Sequence, residues 1–371
     1  MKKQNLFKSM LLLCALVAGS GSVWGQTYVK VTSEPTDWSG VYLIVYEGDG
    51  GSHGAYAFDG AYNEDKAKSN IAVTISAGVI NGTDALNAAA FTIAKIGSTS
   101  NYSILNSKGS YIGATRNSNE FKLSTTDVYP NTIEFEDGTN NVDIHAVFDE
   151  SNRYLRFNYG SDQLRFRYFQ SGKQQPIALY RKNETATINS TYKWATFSSK
   201  DALDFTGIST LSAYRASSVS ASSVTLTQVT GTCAANTGLL LNGATTNIPV
   251  AASGTSFTSS ENKLVAVSSA KTLTSADKAY VLTADGGGNV FFGKVDATSA
   301  NIAAGQAYLD GTDIYANELT FDFANGDVTG INEVKEQKAG FLGDFYNLAG
   351  QRVTRPGKGV YIVNGKKVII K

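Results

Sequence analysis

Residues 153–169 read "RYLRFNYGSDQLRFRYF", and the alternation inside this stretch decides the fold class. If the chain reverses at Gly160-Ser161-Asp162, one side collects Leu155, Phe157, Leu164, Phe166 and Tyr168. The other side collects Tyr154, Arg156, Asn158, Arg165, Arg167 and Phe169. A repeat of two residues belongs to a pleated strand, whose side chains point alternately to opposite faces. Gly, Ser and Asp supply the turn. The stretch therefore predicts a β-hairpin with one apolar core face.

Working outward, the same short alternating runs recur along the chain. They include "GVYLIVYE" (40–47), "AFTIAKI" (90–96), "YSILNSKGSYIG" (102–113), "NTIEFEDG" (131–138), "SSVTLTQV" (222–229) and "TGLLLNG" (237–243). "KAYVLTADGGGNVFFGKV" (278–295) reads as two strands joined through Asp285–Asn289. No long amphipathic helix is evident, and the expected class is all-β. Three stretches resemble one another: "SGVYLIVYEGDGGSHGAYAFDG" (39–60), "NYSILNSKGSYIGATRN" (101–117) and "NVDIHAVFDESNRYLRFNYG" (141–160). Each reads as a core strand, a loop and an aromatic strand led by Tyr56, Tyr111 or Tyr154. Three such units suit a β-trefoil, with a barrel or a β-sandwich as the alternative.

Composition divides the chain further. Residues 1–25 carry Lys2, Lys3 and Lys8, then an apolar run from Met10 to Ala18 and small residues before Gln26. This is the layout of a secretory signal peptide, and the run is far shorter than the roughly 20 residues that span a bilayer. A lipid-anchored start at Cys14 would need a small residue at position 13, where Leu13 stands. Residues 26–182, with 14 basic and 17 acidic side chains, form the expected first β-domain. Residues 183–326 turn to Ser, Thr and Ala and are expected to form a second domain, a β-sandwich. Residues 327–344 read as a polar linker, and 345–371 as a strand-like tail with six basic and no acidic residues.

That tail, "YNLAGQRVTRPGKGVYIVNGKKVIIK" (346–371), resembles the closing half of the C-terminal sorting domains of type IX secretion. Tyr346, Asn347, Gly350 and Gln351 match the first part of the motif, and Gly359, Tyr361 and Lys371 the second. The resemblance implies a β-hairpin address read by the secretion machinery of a Gram-negative bacterium. It thus implies an exported chain at the cell surface or beyond. "RFRYFQSGKQQPIALYRK" (165–182) and "KWATFSSKDALDF" (193–205) are similar to β-domains of secreted proteins from the same phylum, which implies a modular surface protein.

Chemistry-bearing motifs are few. Only two histidines occur, His53 and His145, without the spacing of a zinc site. No cofactor or metal is expected. Asp49 and Asp59 flank a glycine-rich loop that reads as surface rather than as a calcium site. Cys233, between two apolar runs, reads as a buried thiol rather than a nucleophile, which would want a histidine partner. Tyr154, Arg156, Arg165, Arg167 and Phe169 are the candidate ligand-binding residues. Guanidiniums beside aromatic rings can stack on sugars and fork onto carboxylate or sulfate. Nucleic acid fits poorly with the slightly acidic first domain. The expectation is a non-catalytic glycan- or protein-binding module or adhesin. A carbohydrate hydrolase or a structural surface subunit are the alternatives.

Overall fold

The structure is a computed structural model. It describes residues 26–60, 70–116, 118–148, 153–160, 163–296, 299–324, 345–347, 351–353, 359–363 and 366–370. The expected signal segment and linker lie outside the described residues, as do Gly350 and Lys371 of the tail and the Ser161–Asp162 turn. The chain is nearly all β, and it divides into two compact units between positions 325 and 326.

The first strands are β1 (Thr27–Lys30), β2 (Gly40–Tyr46), β3 (Tyr56–Phe58), β4 (Asn70–Ala72) and β5 (Val79–Asn81). Next come β6 (Phe91–Lys95), β7 (Tyr102–Asn106), β8 (Tyr111–Gly113), β9 (Lys122–Ser124) and β10 (Asn131–Phe135). β11 (Val142–Ala146), β12 (Arg153–Asn158), β13 (Arg165–Gln170) and β14 (Ala178–Ala186) complete the set. Six of these pair antiparallel in the order β11, β10, β7, β6, β2, β14. A bridge from Val142 to Ile177, just before β14, returns to β11 and closes the barrel.

Six more form three hairpins, β3–β4, β8–β9 and β12–β13, each continuing from a barrel strand, while β1 pairs with β14 and β5. A six-stranded barrel with three hairpins in three similar units is the β-trefoil arrangement. The three leading tyrosines occupy equivalent places, Tyr56 opposite Ala72, Tyr111 opposite Ser124 and Tyr154 opposite Phe169. Tyr42, Ile44, Phe91, Ile93, Ile104, Ile144 and Leu179 share one buried cluster with the hairpins' inward side chains. Phe58 meets Phe166 at 4.9 Å and Phe121 at 5.3 Å between ring centroids, so one residue from each hairpin joins the cap. Each such side chain contributes roughly 1.5–3 kcal/mol by leaving water. Tyr168, fully buried, donates its hydroxyl to Asn131 Oδ1 at 2.7 Å, which satisfies both groups.

The second region shares its first strand with the trefoil. The first half of β14 lies in the barrel against β2, and Asn183–Ala186 pair with β21 (Thr246–Pro249). The boundary expected at 182/183 therefore falls inside a strand, and the described residues up to Ala324 belong to one compact unit. The change in composition there reflects smaller side chains, which a continuous strand accommodates without a break.

Beyond β14 run β15 (Trp194–Phe197), β16 (Leu203–Asp204), β17 (Leu211–Val219), β18 (Ser223–Val229), β19 (Thr232–Cys233) and β20 (Leu239–Gly243). β22 (Leu264–Ala266), β23 (Lys271–Leu273), β24 (Ala279–Ala284), β25 (Val290–Lys294) and β26 (Ala300–Ile302) follow. β27 (Ala307–Asp310) and β28 (Glu318–Phe323) end the region. Nine of them form one sheet in the order β15, β20, β17, β18, β28, β25, β24, β27, β22, in which β18 and β28 run parallel. The sheet curls so that its ends approach. Ser198, after β15, donates its backbone N–H to Gly305 O at 2.7 Å, and Lys263, before β22, donates to Ala216 O at 2.8 Å. The two facing layers expected of a sandwich are thus supplied by one nearly closed sheet around Tyr280, Leu282, Phe292, Leu309 and Leu319. β16 with β19 and β23 with β26 form small outer ladders.

The second unit is a small sheet of four strands: β29 (Phe345–Tyr346), β30 (Arg352–Val353), β31 (Gly359–Val363) and β32 (Lys366–Ile370). Their order is β30, β29, β31, β32. Asn347 and Gln351 tie the first hairpin. The Gln351 backbone N–H donates to Asn347 Oδ1 at 2.9 Å, and Asn347 Nδ2 donates to Gln351 Oε1 at 3.0 Å.

Candidate functional site

The hairpin of β12 and β13 has the register expected from its sequence, Leu155 opposite Tyr168, Arg156 opposite Arg167 and Asn158 opposite Arg165. Leu155, Phe157, Phe166 and Tyr168 are buried on the core side. The opposite face divides the five candidate residues into two kinds.

Arg156 is a buried structural cation, only 5% exposed, and pairs with Asp143 on β11 and with Glu136 at 3.5 Å. Phe169 is buried as well. Tyr154 is half-buried and stacks on His145 with ring centroids 4.7 Å apart, while the Arg156 guanidinium lies 5.6 Å from the Tyr154 ring centre. Burial, then the charges of Asp143 and Glu134, hold the Tyr154 hydroxyl above the usual tyrosine range. These three side chains form a packed layer, not an open surface for a ligand. The layer arises because β11 lies beside β12 and brings in carboxylates from a separate stretch of sequence.

Arg165 and Arg167 are different. Both are half-buried on one side of β13, and among the described residues neither has an acidic partner within 4.0 Å. Arg165 Nε is buried without a hydrogen-bond partner. Burial, then the neighbouring Arg167 charge, lower the Arg165 pKa from its ordinary value. Two adjacent guanidiniums without a counter-charge among the described residues favour an anion that forks onto both. In the other two hairpins the positions equivalent to Arg156 and Arg167 hold Phe58 with Asn70, and Gly113 with Lys122. A Cβ at Gly113 would lie 2.2 Å from Tyr129 Cβ, so that unit has no room for a side chain there.

A second cluster forms where the loop after β2 meets the end of β12. Asp49 accepts from His53 Nδ1 at 2.8 Å and from the backbone N–H groups of Gly51 and His53. These bonds, the imidazole first, hold the Asp49 carboxyl well below the usual range. The His53 ring stacks on Tyr159 at 4.1 Å. Tyr46 lies buried beside them with an unpartnered hydroxyl, its pKa pushed up to about 12 by burial and by the Asp49 charge. The sequence shows Asp49 and His53 in one loop but gives no sign of Tyr159, more than a hundred positions away. The described residues contain no group of three or more His, Cys, Asp or Glu side chains placed to hold a metal ion.

Cys233 is buried in an apolar cluster with Leu203, Phe205 and Val250, and burial pushes its thiol up to about 11. A thiol held protonated in this way is a core side chain and a poor nucleophile. Among the described residues, no helix is long and apolar enough to cross a membrane. The fold thus defines an all-β protein whose third trefoil hairpin carries Arg165 and Arg167 on one side. Comparison of the chain with protein-family models, with curated proteins and with solved structures finds no match.

Proposed function

We propose that this chain is an exported, non-catalytic binding protein that holds an anionic glycan on the outer side of its third trefoil hairpin. The observation that carries the reading is the pair Arg165 and Arg167, adjacent, half-buried and without a carboxylate partner among the described residues. Two half-buried guanidiniums with no carboxylate partner among the described residues cost solvation that an ionised sugar carboxylate or sulfate would recover. The export part of the reading rests on the signal-like start and on the sorting-like tail. The Asn347–Gln351 lock gives the matched motif residues a folding role in that tail. An exposed sheet edge is a ready surface for a receptor that binds by adding a strand.

The test is a glycan array containing uronate and sulfated members, probed with the chain from Gln26 onward. Saturable binding to anionic members that falls at least tenfold in Arg165→Ser/Arg167→Ser, with unchanged far-UV circular dichroism, supports the reading. Equal binding by the double variant, or a blank array with folded protein, overturns it.

A further inference from the structure

Lys182 and Glu184 lie two residues apart on β14, so both project to the same side of the strand. Both are buried, Glu184 to 2% exposure. The β1–β14 register, Thr27 opposite Asn183, sets Gln26 against Glu184, and Gln26 Nε2 donates to Glu184 Oε1 at 2.8 Å. Asp201, in the connection between β15 and β16, accepts from Lys182 Nζ at 2.5 Å and from Gln26 Nε2 at 3.5 Å. The Glu184 carboxyl lies within hydrogen-bonding reach of Asp201. The cluster thus ties the start of β1, the shared strand β14 and a loop of the second region.

Two carboxylates meet one ammonium here, and Lys182 neutralises Asp201. Tyr28, a further titratable group facing the pair, gives its hydroxyl to Asn87 and brings no positive charge. A second ionised carboxylate in contact with the first, out of water, is costly. A proton placed between them removes the repulsion and makes a hydrogen bond. Burial first, then the Asp201 charge, hold the Glu184 carboxyl above its ordinary range, against the pull of the Gln26 amide and of Lys182.

We infer that Glu184 and Asp201 share one proton, which closes the joint between the trefoil and the second region and makes that joint sensitive to pH. Glu184 sits on the half of β14 that pairs with β21, while the other half lies in the barrel, so loss of the proton puts an unbalanced charge at the seam. The direction follows from linkage. The folded chain keeps a proton that an unfolded glutamate releases near pH 4.5. The stabilisation is therefore full below that value and lost as pH rises through the raised folded pKa. The inference depends neither on the Arg165–Arg167 site nor on export.

The test is the melting of the full chain beside its Glu184→Gln variant, from about pH 4.5 to about pH 9. Glutamine keeps a donor for Asp201 and cannot ionise. The melting temperature of Glu184→Gln relative to the unaltered chain is expected to climb by about 2–4 °C across that range. Asp201→Asn, which removes the neighbouring charge, should climb in the same direction. A difference that stays constant, or moves the other way, overturns the inference. Infrared spectroscopy covers the case in which Glu184→Gln does not fold. At about pH 6 the unaltered chain should show the carbonyl band of a protonated carboxyl that Asp201→Asn lacks, and identical spectra overturn the inference as well. Failure of the glycan reading would leave these results unchanged, so the two ideas can fail separately.

Discussion

The trefoil and the curled sheet beyond it are both nearly closed β-structures, yet they close by different means. The trefoil repeats one unit three times, and equivalent tyrosines, Tyr56, Tyr111 and Tyr154, open each hairpin. The second region has no such repeat. Its sheet is completed by the parallel pairing of β18 with β28, strands nearly a hundred residues apart, and by backbone bonds such as Ser198 to Gly305. Repetition builds the barrel from one unit used three times, with β2 and β14 paired across more than a hundred residues, whereas the second sheet has its long-range pairings without a repeated unit. The two are nonetheless joined by β14, which lies in both.

The largest expected effect tests that union. Phe157 and Phe292 are fully buried in the two cores, and truncating either to Ala should cost about 3–5 kcal/mol. If β14 couples the regions, urea unfolding of Phe157→Ala and of Phe292→Ala each shows one shifted transition seen by fluorescence and circular dichroism alike. Two separate transitions would break the comparison in favour of independent domains. A smaller effect separates the two kinds of arginine on the third hairpin. Arg156→Ser leaves Asp143 without its buried partner and should cost about 1–3 kcal/mol. Arg167→Ser should change stability by no more than about 0.5 kcal/mol, because no ion pair is lost among the described residues. Equal costs would show that both arginines are structural.

The smallest effect concerns acid. The Asp49 pKa is depressed in the fold below its ordinary 3.8, so its contribution is present above that value and lost as pH falls through and below it. Asp49→Asn should therefore flatten the decline of the urea midpoint between pH 5 and pH 2. An unchanged acid profile would mean that the His53 contact is not maintained in solution.

Much of the first region was legible in the sequence. Alternation in "RYLRFNYGSDQLRFRYF" gave the hairpin faces and register, because a one-residue slip would turn every apolar side chain outward. The three similar stretches anticipated the three hairpins. The candidate site was less legible. Arg156 and Arg167 look alike in sequence, and both have the same place on a polar face. Their difference comes from Asp143 and Glu136, set beside Arg156 by strand pairing and by the turn after β10. The pairing of His53 with Tyr159 likewise joins two loops with no shared pattern.

The sequence by itself determined the local terms: strand character, turn positions, the inward and outward faces, and the threefold repetition. These follow from side-chain alternation and turn chemistry, which act over a few residues. Only the tertiary structure decided which charges are neutralised, where β14 carries one region into the next, and how the second sheet curls shut. Those outcomes depend on which distant strands become neighbours, and a guanidinium is a structural ion or a free cation according to what its neighbour brings within about 4 Å.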